Sequence, residues 1–460
     1  MILRELAGAA VVAVLIAAVF AVGEILRRRF GVDAETSRKT VHVGGCLVAL
    51  AFPLAFKSHF SVLVLAVVSV LAIVVGGRLG LLHSINDVER KSQGGIFHPM
   101  AIYICFLMAT LMGNMVYYAI AIMVMALSDT MAALVGQSYG IIKYDVDDEN
   151  RRSLEGSIVF FLLTFLIVHL SLLLLTEASR GGSVLAALLI AVLVTLFEAI
   201  SLNGADNLFV PIGTIFILSK NTTPDIGAIQ HQFVVMAVAF TVVHLLMRPY
   251  RKFGFTAYIA FSLAAYTAGG LVGWSWLVCF VVAIALLCRT GMFLADPGEP
   301  HHRHHIHYAF RFCIVPAFWM FASNLITKII EADTRVWFGG AYVTAVAAEM
   351  AILRIRRRMA CGRRADWRRC AGETIVTWLP VAAPMFLWHY ADNPGITLFA
   401  AATSLAATAV AALAFNRYAH KSCAVARDTA DGGIAVVLLA SVVQCVLQIG
   451  HWWTTTGGWQ

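Results

Sequence analysis

Charge is what this sequence has little of. Only 13% of its 460 residues are Asp, Glu, Lys or Arg, 60% are hydrophobic, and the mean hydropathy is +0.81. A water-soluble domain of this length needs far more polar surface, so that class is excluded. Paired cysteines are missing as well. The nine cysteines are scattered, none forms a CxxC, and most sit in or beside apolar runs, so the spacing indicates neither a disulfide framework nor a zinc site. The first apolar run, roughly residues 6–26, lacks a small-residue cleavage site and reads as a retained membrane span.

What is present is a long series of apolar runs. At ~20 residues per crossing they allow about 15 or 16 spans, and the expected fold is an all-α, polytopic helical membrane protein. Assigning alternate loops to opposite sides separates the basic residues sharply. Arg4, Lys57, Arg180, Lys220, Lys328 and Arg335 fall on one side, and the other 28 of the 34 Lys and Arg fall on the opposite side. The rich side is expected to be cytoplasmic, in the inner membrane if the source is bacterial. The net charge of +8 then reflects topology and contact with anionic lipid; it is no evidence for nucleic acid.

The stretch Ser128–Ser157, SDTMAALVGQSYGIIKYDVDDENRRSLEGS, stands out from this background. Asp129 follows an apolar run, and Asp129, Ala133, Gly136 and Gly140 share one face if the segment is helical. One carboxylate followed by small residues lets a backbone or a ligand come close. No lysine or arginine lies within one helical turn of Asp129, so an ionised carboxylate there needs a counter-ion from elsewhere. The basic pair Arg151-Arg152 precedes Glu155 and Gly156 at the start of the next apolar run, and Lys143 lies in the intervening polar loop. The acids of that loop, Asp145, Asp147, Asp148 and Glu149, read as a hydrated turn.

Two further segments belong with it. Glu35, Arg38, Lys39 and His42 fall on one helical face at the mouth of the second span, a stripe that suits polyphosphate, although a positive-inside flank explains the charges alone. Downstream of Glu198, Asn203, Gly204, Asp206 and Asn207 make a tight polar break, and Pro211 follows in a short apolar run. Broken helices at membrane depth tend to surround binding cavities. Paired carboxylates there suit Mg²⁺, which takes one or two protein carboxylates together with substrate phosphates. Beyond about Arg248 no comparable cluster occurs. The histidine run (His301, His302, His304, His305 and His307) reads as a solvated loop, and the Arg354–Arg369 stretch as a basic, lipid-facing one. His244, Glu349 and His389 are explained by packing or capping.

Three segments in order, SRKTVH at Ser37–His42, SDTMAALVGQSYG…RRSLEGS at Ser128–Ser157 and GADNLFVP at Gly204–Pro211, resemble the membrane lipid-alcohol kinases. That family includes phytol, farnesol and dolichol kinases and the CTP-dependent diacylglycerol kinase, and it looks related to the phosphatidate cytidylyltransferases. Arg38, Lys39, Asp129, Gly136, Glu155, Gly156, Asp206 and Asn207 match its motif positions. The family commonly has lysine directly after the glycine matching Gly140; here that position is Ile141. The resemblance covers roughly residues 20–220 and leaves the second half without a family. The expected organisation is a kinase-like domain over residues 1–247 and a second transmembrane domain of unknown function over 248–460.

The resemblance implies phosphoryl transfer from a nucleoside triphosphate, usually CTP, to the hydroxyl of a polyprenol, another isoprenoid or a glyceride lipid. In this reading Arg38, Lys39, Lys143, Arg151, Arg152 and the backbone near Gly136, Gly140 and Gly156, with Glu155, hold the nucleotide. Asp129 with Glu198, Asp206 or Asn207 holds Mg²⁺, and His42 or a carboxylate takes the hydroxyl proton. Two rivals stand beside it. A cytidylyltransferase would use the same nucleotide on a lipid phosphate. A transporter would also carry intramembrane acids, yet here the polar residues crowd at one membrane face.

Overall fold

The computed structural model describes residues 2–78, 94–147, 150–221, 226–249, 254–290, 305–330, 335–360, 366–421 and 426–456. Thirteen helices among these residues are long and apolar enough to cross a membrane. The helices Ala34–Leu50, Asp206–Asn221 and Trp274–Thr290 are shorter. Leu3, Leu6, Val14, Leu71 and Leu174 are large apolar side chains left exposed on the outside, an arrangement that is stable against lipid and not against water. The protein is an all-α integral membrane protein.

The chain divides into two compact units, Met1–Phe233 and Val234–Gln460. The first opens with α1 (Ile2–Arg29) and α2 (Ala34–Leu50). These two pack closely enough that a Cβ on Gly44 would stand 2.8 Å from Val19. Asp33 starts α2 by accepting from the Thr36 amide at 2.8 Å, a side-chain cap that satisfies one of the unpaired first-turn donors. A single turn, α3 (Phe52–Ala55), leads to α4 (His59–Arg78) and α5 (Gly94–Leu111).

The central helix α6 (Met115–Tyr139) contains a π-helical turn over Val124–Ser128. It is followed by the antiparallel hairpin β1 (Lys143–Asp145) and β2 (Arg151–Ser153), then by α7 (Leu154–Leu175), α8 (Arg180–Ile200), α9 (Asp206–Asn221) and α10 (Ile226–Met247). The boundary between the two units falls within α10. The hairpin replaces the hydrated loop expected from sequence. Tyr144 pairs with Arg152 across it, and at its tip Asp147 Oδ1 accepts from the Asn150 amide at 2.7 Å. Asp148 and Glu149 lie outside the described residues.

In the second unit, α11 (Phe255–Val272) and α12 (Trp274–Thr290) are followed by α13 (His305–Ile330), α14 (Arg335–Ala360), α15 (Trp367–Tyr390), α16 (Pro394–Lys421) and α17 (Ala426–Thr456). Helix α14 is the buried centre, packed by α13, α15, α16 and α17. The basic stretch beginning at Arg354 is not one lipid-facing loop. Arg354 and Arg358 lie in α14 and both pair with Glu373 of α15, at 2.7 and 2.5 Å. A long arginine reaches across a helix pair to a buried carboxylate, which local sequence does not reveal. Arg363, Arg364, His301, His302 and His304 lie outside the described residues. Glu349 faces Arg311 at 3.9 Å, the His389 ring meets Ser275 Oγ at 3.3 Å, and His244 packs edge-on against Tyr258.

Candidate functional site

Four elements of the first unit meet at one end of the bundle: the start of α2, the middle of α6, the hairpin with the start of α7, and the α8–α9 turn. They enclose a cavity of about 480 Å³. Among its lining residues are Arg38, Lys39, Asp129, Gly136, Lys143, Arg151, Arg152, Gly156, Glu198, Asp206 and Asn207. Of the sequence candidates, His42, Gly140 and Glu155 do not line it.

Asp129 lies directly after the π turn of α6 and is buried. π turns of this kind are frequent at functional sites because they break the i→i−4 ladder and free a carbonyl. One carbonyl of this turn, Met125 O, accepts from His42 Nε2 at 3.1 Å. Lys39 Nζ donates to Asp129 Oδ2 at 2.5 Å, and His42 Nε2 lies 3.7 Å from the same oxygen. The counter-charge that the local sequence withholds from Asp129 therefore comes from α2. His42 stands behind the carboxylate, outside the cavity.

The second charge cluster centres on Arg152. Its Nη1 pairs with Glu198 Oε1, while Nη2 donates to Asp206 Oδ2 at 2.9 Å and to the Ser201 carbonyl at 3.4 Å. Burial opposes the guanidinium charge, but the Glu198 and Asp206 carboxylates more than offset it and hold Arg152 above its ordinary pKa. Arg152 Nε and Glu198 Oε2 are buried without hydrogen-bond partners among the described residues. Such orphaned groups are costly, so each has hydrogen-bonding or ligand capacity to spare.

The remaining basic residues differ in their commitments. Arg38 is held by Glu35 through two bonds, Nε to Oε2 at 2.9 Å and Nη2 to Oε1 at 2.5 Å. Arg151 pairs with Asp145 at 2.6 Å on an exposed part of the hairpin. Lys143 is exposed at the rim. Asn207 ties α9 to α5 by donating to the Gly94 carbonyl at 3.1 Å.

The glycines act chiefly through contact. A Cβ on Gly156 would stand 2.8 Å from the Ala132 carbonyl, and one on Gly136 would stand 2.8 Å from Ser153 Oγ. Helices α6 and α7 thus touch backbone to backbone, as small residues permit. The Gly156 amide already donates to Ser153 Oγ, the N-cap of α7, at 3.1 Å. Gly140 ends α6 against Ser153. Glu155 turns away from the cavity and accepts from the Ile142 amide at 3.1 Å, securing the entry to the hairpin. Sequence reading missed Ser153 as the hinge of this contact. Asn203 and Gly204 of the expected polar break line the cavity, and their positive φ values of 51° and 80° shape the α8–α9 turn. The Asn-Gly pair was a usable signal for such a turn.

Over 205 residues, 44% of the chain, the sequence is 33% identical to a phytol kinase of Synechocystis sp., and the match spans 85% of that relative. No family model matches the chain, and no solved structure matches it. Over the matched part, the chain belongs to the phytol kinase family of membrane lipid-alcohol kinases.

Proposed function

We propose that the cavity of the first unit transfers the γ-phosphoryl group of a nucleoside triphosphate, CTP in the first place, to the hydroxyl of a membrane lipid. The acceptor is a polyprenol or other isoprenoid alcohol, or a glyceride. The observation that supports this most directly is the convergence of Arg38, Lys39, Asp129, Arg152, Glu198 and Asp206 on one cavity from segments far apart in the chain. Phosphoryl transfer needs chiefly positioning and charge neutralisation, and this residue set suits both.

Lys39 and Arg152 each neutralise carboxylates in this structure and carry the charge a triphosphate requires. As the nucleotide enters, Arg152 offers its unpartnered Nε, and Arg38, Lys143 and Arg151 supply further cationic donors from the rim. The donor set also fits a divalent ion. Asp129 and Asp206 bring hard carboxylate oxygens to the cavity, and Glu198 Oε2 is buried with no partner. Asp129, Glu198 and Asp206 would hold Mg²⁺, with Asn207 beside them; when bound, the ion neutralises phosphate charge and orients the triphosphate. The lipid hydroxyl enters from the bilayer side and attacks the γ-phosphorus in line, and the nucleoside diphosphate leaves with the bridging oxygen. A carboxylate of the cavity, rather than His42, takes its proton, because His42 donates to Met125 O outside the cavity. We place the cavity at the cytoplasmic face, where the basic loops cluster.

The test is direct. Purified protein is incubated with CTP, UTP, ATP or GTP and a panel of lipid alcohols, and the products are identified by mass. A lipid monophosphate formed with CTP and Mg²⁺ is the expected result. A CMP-bearing lipid formed from a lipid phosphate, or no nucleotide-dependent product, would overturn the proposal.

A further inference from the structure

About one helical turn further along α2 than Lys39, past Asp129, lies a second set of metal-competent side chains that phosphoryl transfer does not use. His42 and Cys46 are four residues apart and share one face of α2, and His98 of α5 closes the group. One donor atom from each lies within 4.8 Å of the other two. Cys46 is fully buried and carries no disulfide. Both ring nitrogens of His98 are shielded from solvent and have no hydrogen-bond partner among the described residues. An imidazole with two idle nitrogens inside a helix bundle forgoes hydrogen bonds that water would supply. The fold also makes room for this ring, since a Cβ on Gly45 would stand 3.1 Å from His98 Nε2.

We propose that His42, Cys46 and His98 form a site for a single Zn²⁺-class ion that clamps α2 to α5. One thiolate and two imidazoles make a soft, nitrogen–sulfur donor set, which selects zinc over the oxygen-seeking Mg²⁺ of the neighbouring cavity. Tetrahedral zinc places nitrogen and sulfur ligands roughly 3.3–3.8 Å apart, so closing this group on an ion takes side-chain shifts on the order of 1 Å. The outer contacts are also suitable. A metal-bound histidine usually donates its other ring N–H to a carbonyl or carboxylate, and His42 Nε2 already donates to Met125 O at 3.1 Å. The clamp thereby fixes α2 against the π turn that carries Asp129; three protein ligands leave the fourth tetrahedral position to water.

The experiment reads metal content, so its outcome is independent of whether the protein phosphorylates lipids. The full chain is purified in detergent with a histidine-free affinity tag, equilibrated with excess Mg²⁺ and micromolar Zn²⁺, desalted, and assayed for metal by mass spectrometry. About one zinc per chain is expected in the wild type. Cys46→Ser and His98→Gln should lower it at least tenfold, and replacing the five histidines of the 301–307 run by asparagine should leave it unchanged. Cobalt loading of the wild type should produce a thiolate-to-cobalt charge-transfer band, a readout that survives any failure of the variants to fold. Zinc well below one per chain in the wild type, zinc retained by both variants, or cobalt bound without a thiolate band would each overturn the proposal.

Discussion

Lys39 and Asp129, 90 residues apart in the chain, meet at 2.5 Å, each almost fully withdrawn from solvent. Taking two such charges out of water is costly, and each is tolerable only because the other is there. The contact joins the basic stripe of α2 to the acid of α6, which is how two segments far apart in the chain become one site.

The first consequence concerns stability. Lys39→Met leaves a buried carboxylate without its cation and should destabilise the protein by ~3–5 kcal/mol. Asp129→Asn should cost less, because the amide oxygen still accepts from Lys39. The double variant should recover part of the Lys39→Met loss. Thermal unfolding in detergent of all four proteins measures the coupling, and strict additivity would show that the pair is not coupled.

Turnover should respond more severely. Asp129→Asn removes charge while keeping shape, and lipid phosphorylation should fall by roughly a hundredfold or more as metal-mediated charge stabilisation is lost. Activity is compared on protein that elutes as a single species. A wild-type rate would relegate Asp129 to packing and direct attention to Glu198 and Asp206.

Arg152 bridges Glu198 and Asp206 through two different nitrogens, which a single ammonium cannot reproduce. Arg152→Lys should therefore be nearly as inactive as Arg152→Gln, and both should raise the KM for the nucleotide. Full rescue by lysine would mean that a point charge suffices and that the fork has no role.

Helices α6 and α7 make a directional prediction possible. In Gly156→Ala the new methyl meets a backbone carbonyl at 2.8 Å; in Gly136→Ala it meets a serine hydroxyl at the same distance. A hydroxyl can rotate away and a helix backbone cannot, so Gly156→Ala should lower the unfolding midpoint more. Overpacking of this kind typically costs ~1–3 kcal/mol. Equal midpoints would indicate that the helices separate freely.

The proposed orientation is checked by single-cysteine labelling of intact cells with an impermeant reagent. Position 220 should be labelled and position 152 protected, following the asymmetry of basic loops. The reverse pattern would invert the protein in the membrane.

Sequence alone determined the membrane class and the helical fold, because a bilayer admits few ways of satisfying a backbone and long apolar runs select the helix. It also made Asp129 conspicuous, since an acid after an apolar run is costly and needs a reason. Spacing rules see only along one helix, however. They found no cation for Asp129, whose partner comes from α2, and no metal-competent cysteine, because His98 reaches Cys46 from a separate helix. The resemblance assigned the glycines and Glu155 to the nucleotide; in the structure Gly136 and Gly156 line the cavity, Gly156 also packs against Ala132 O, and Glu155 accepts from the Ile142 amide. Which charges are paired and which atoms are left without partners follows from how helices cross. Those crossings depend on contacts between residues far apart in the chain, so only the tertiary structure decided them.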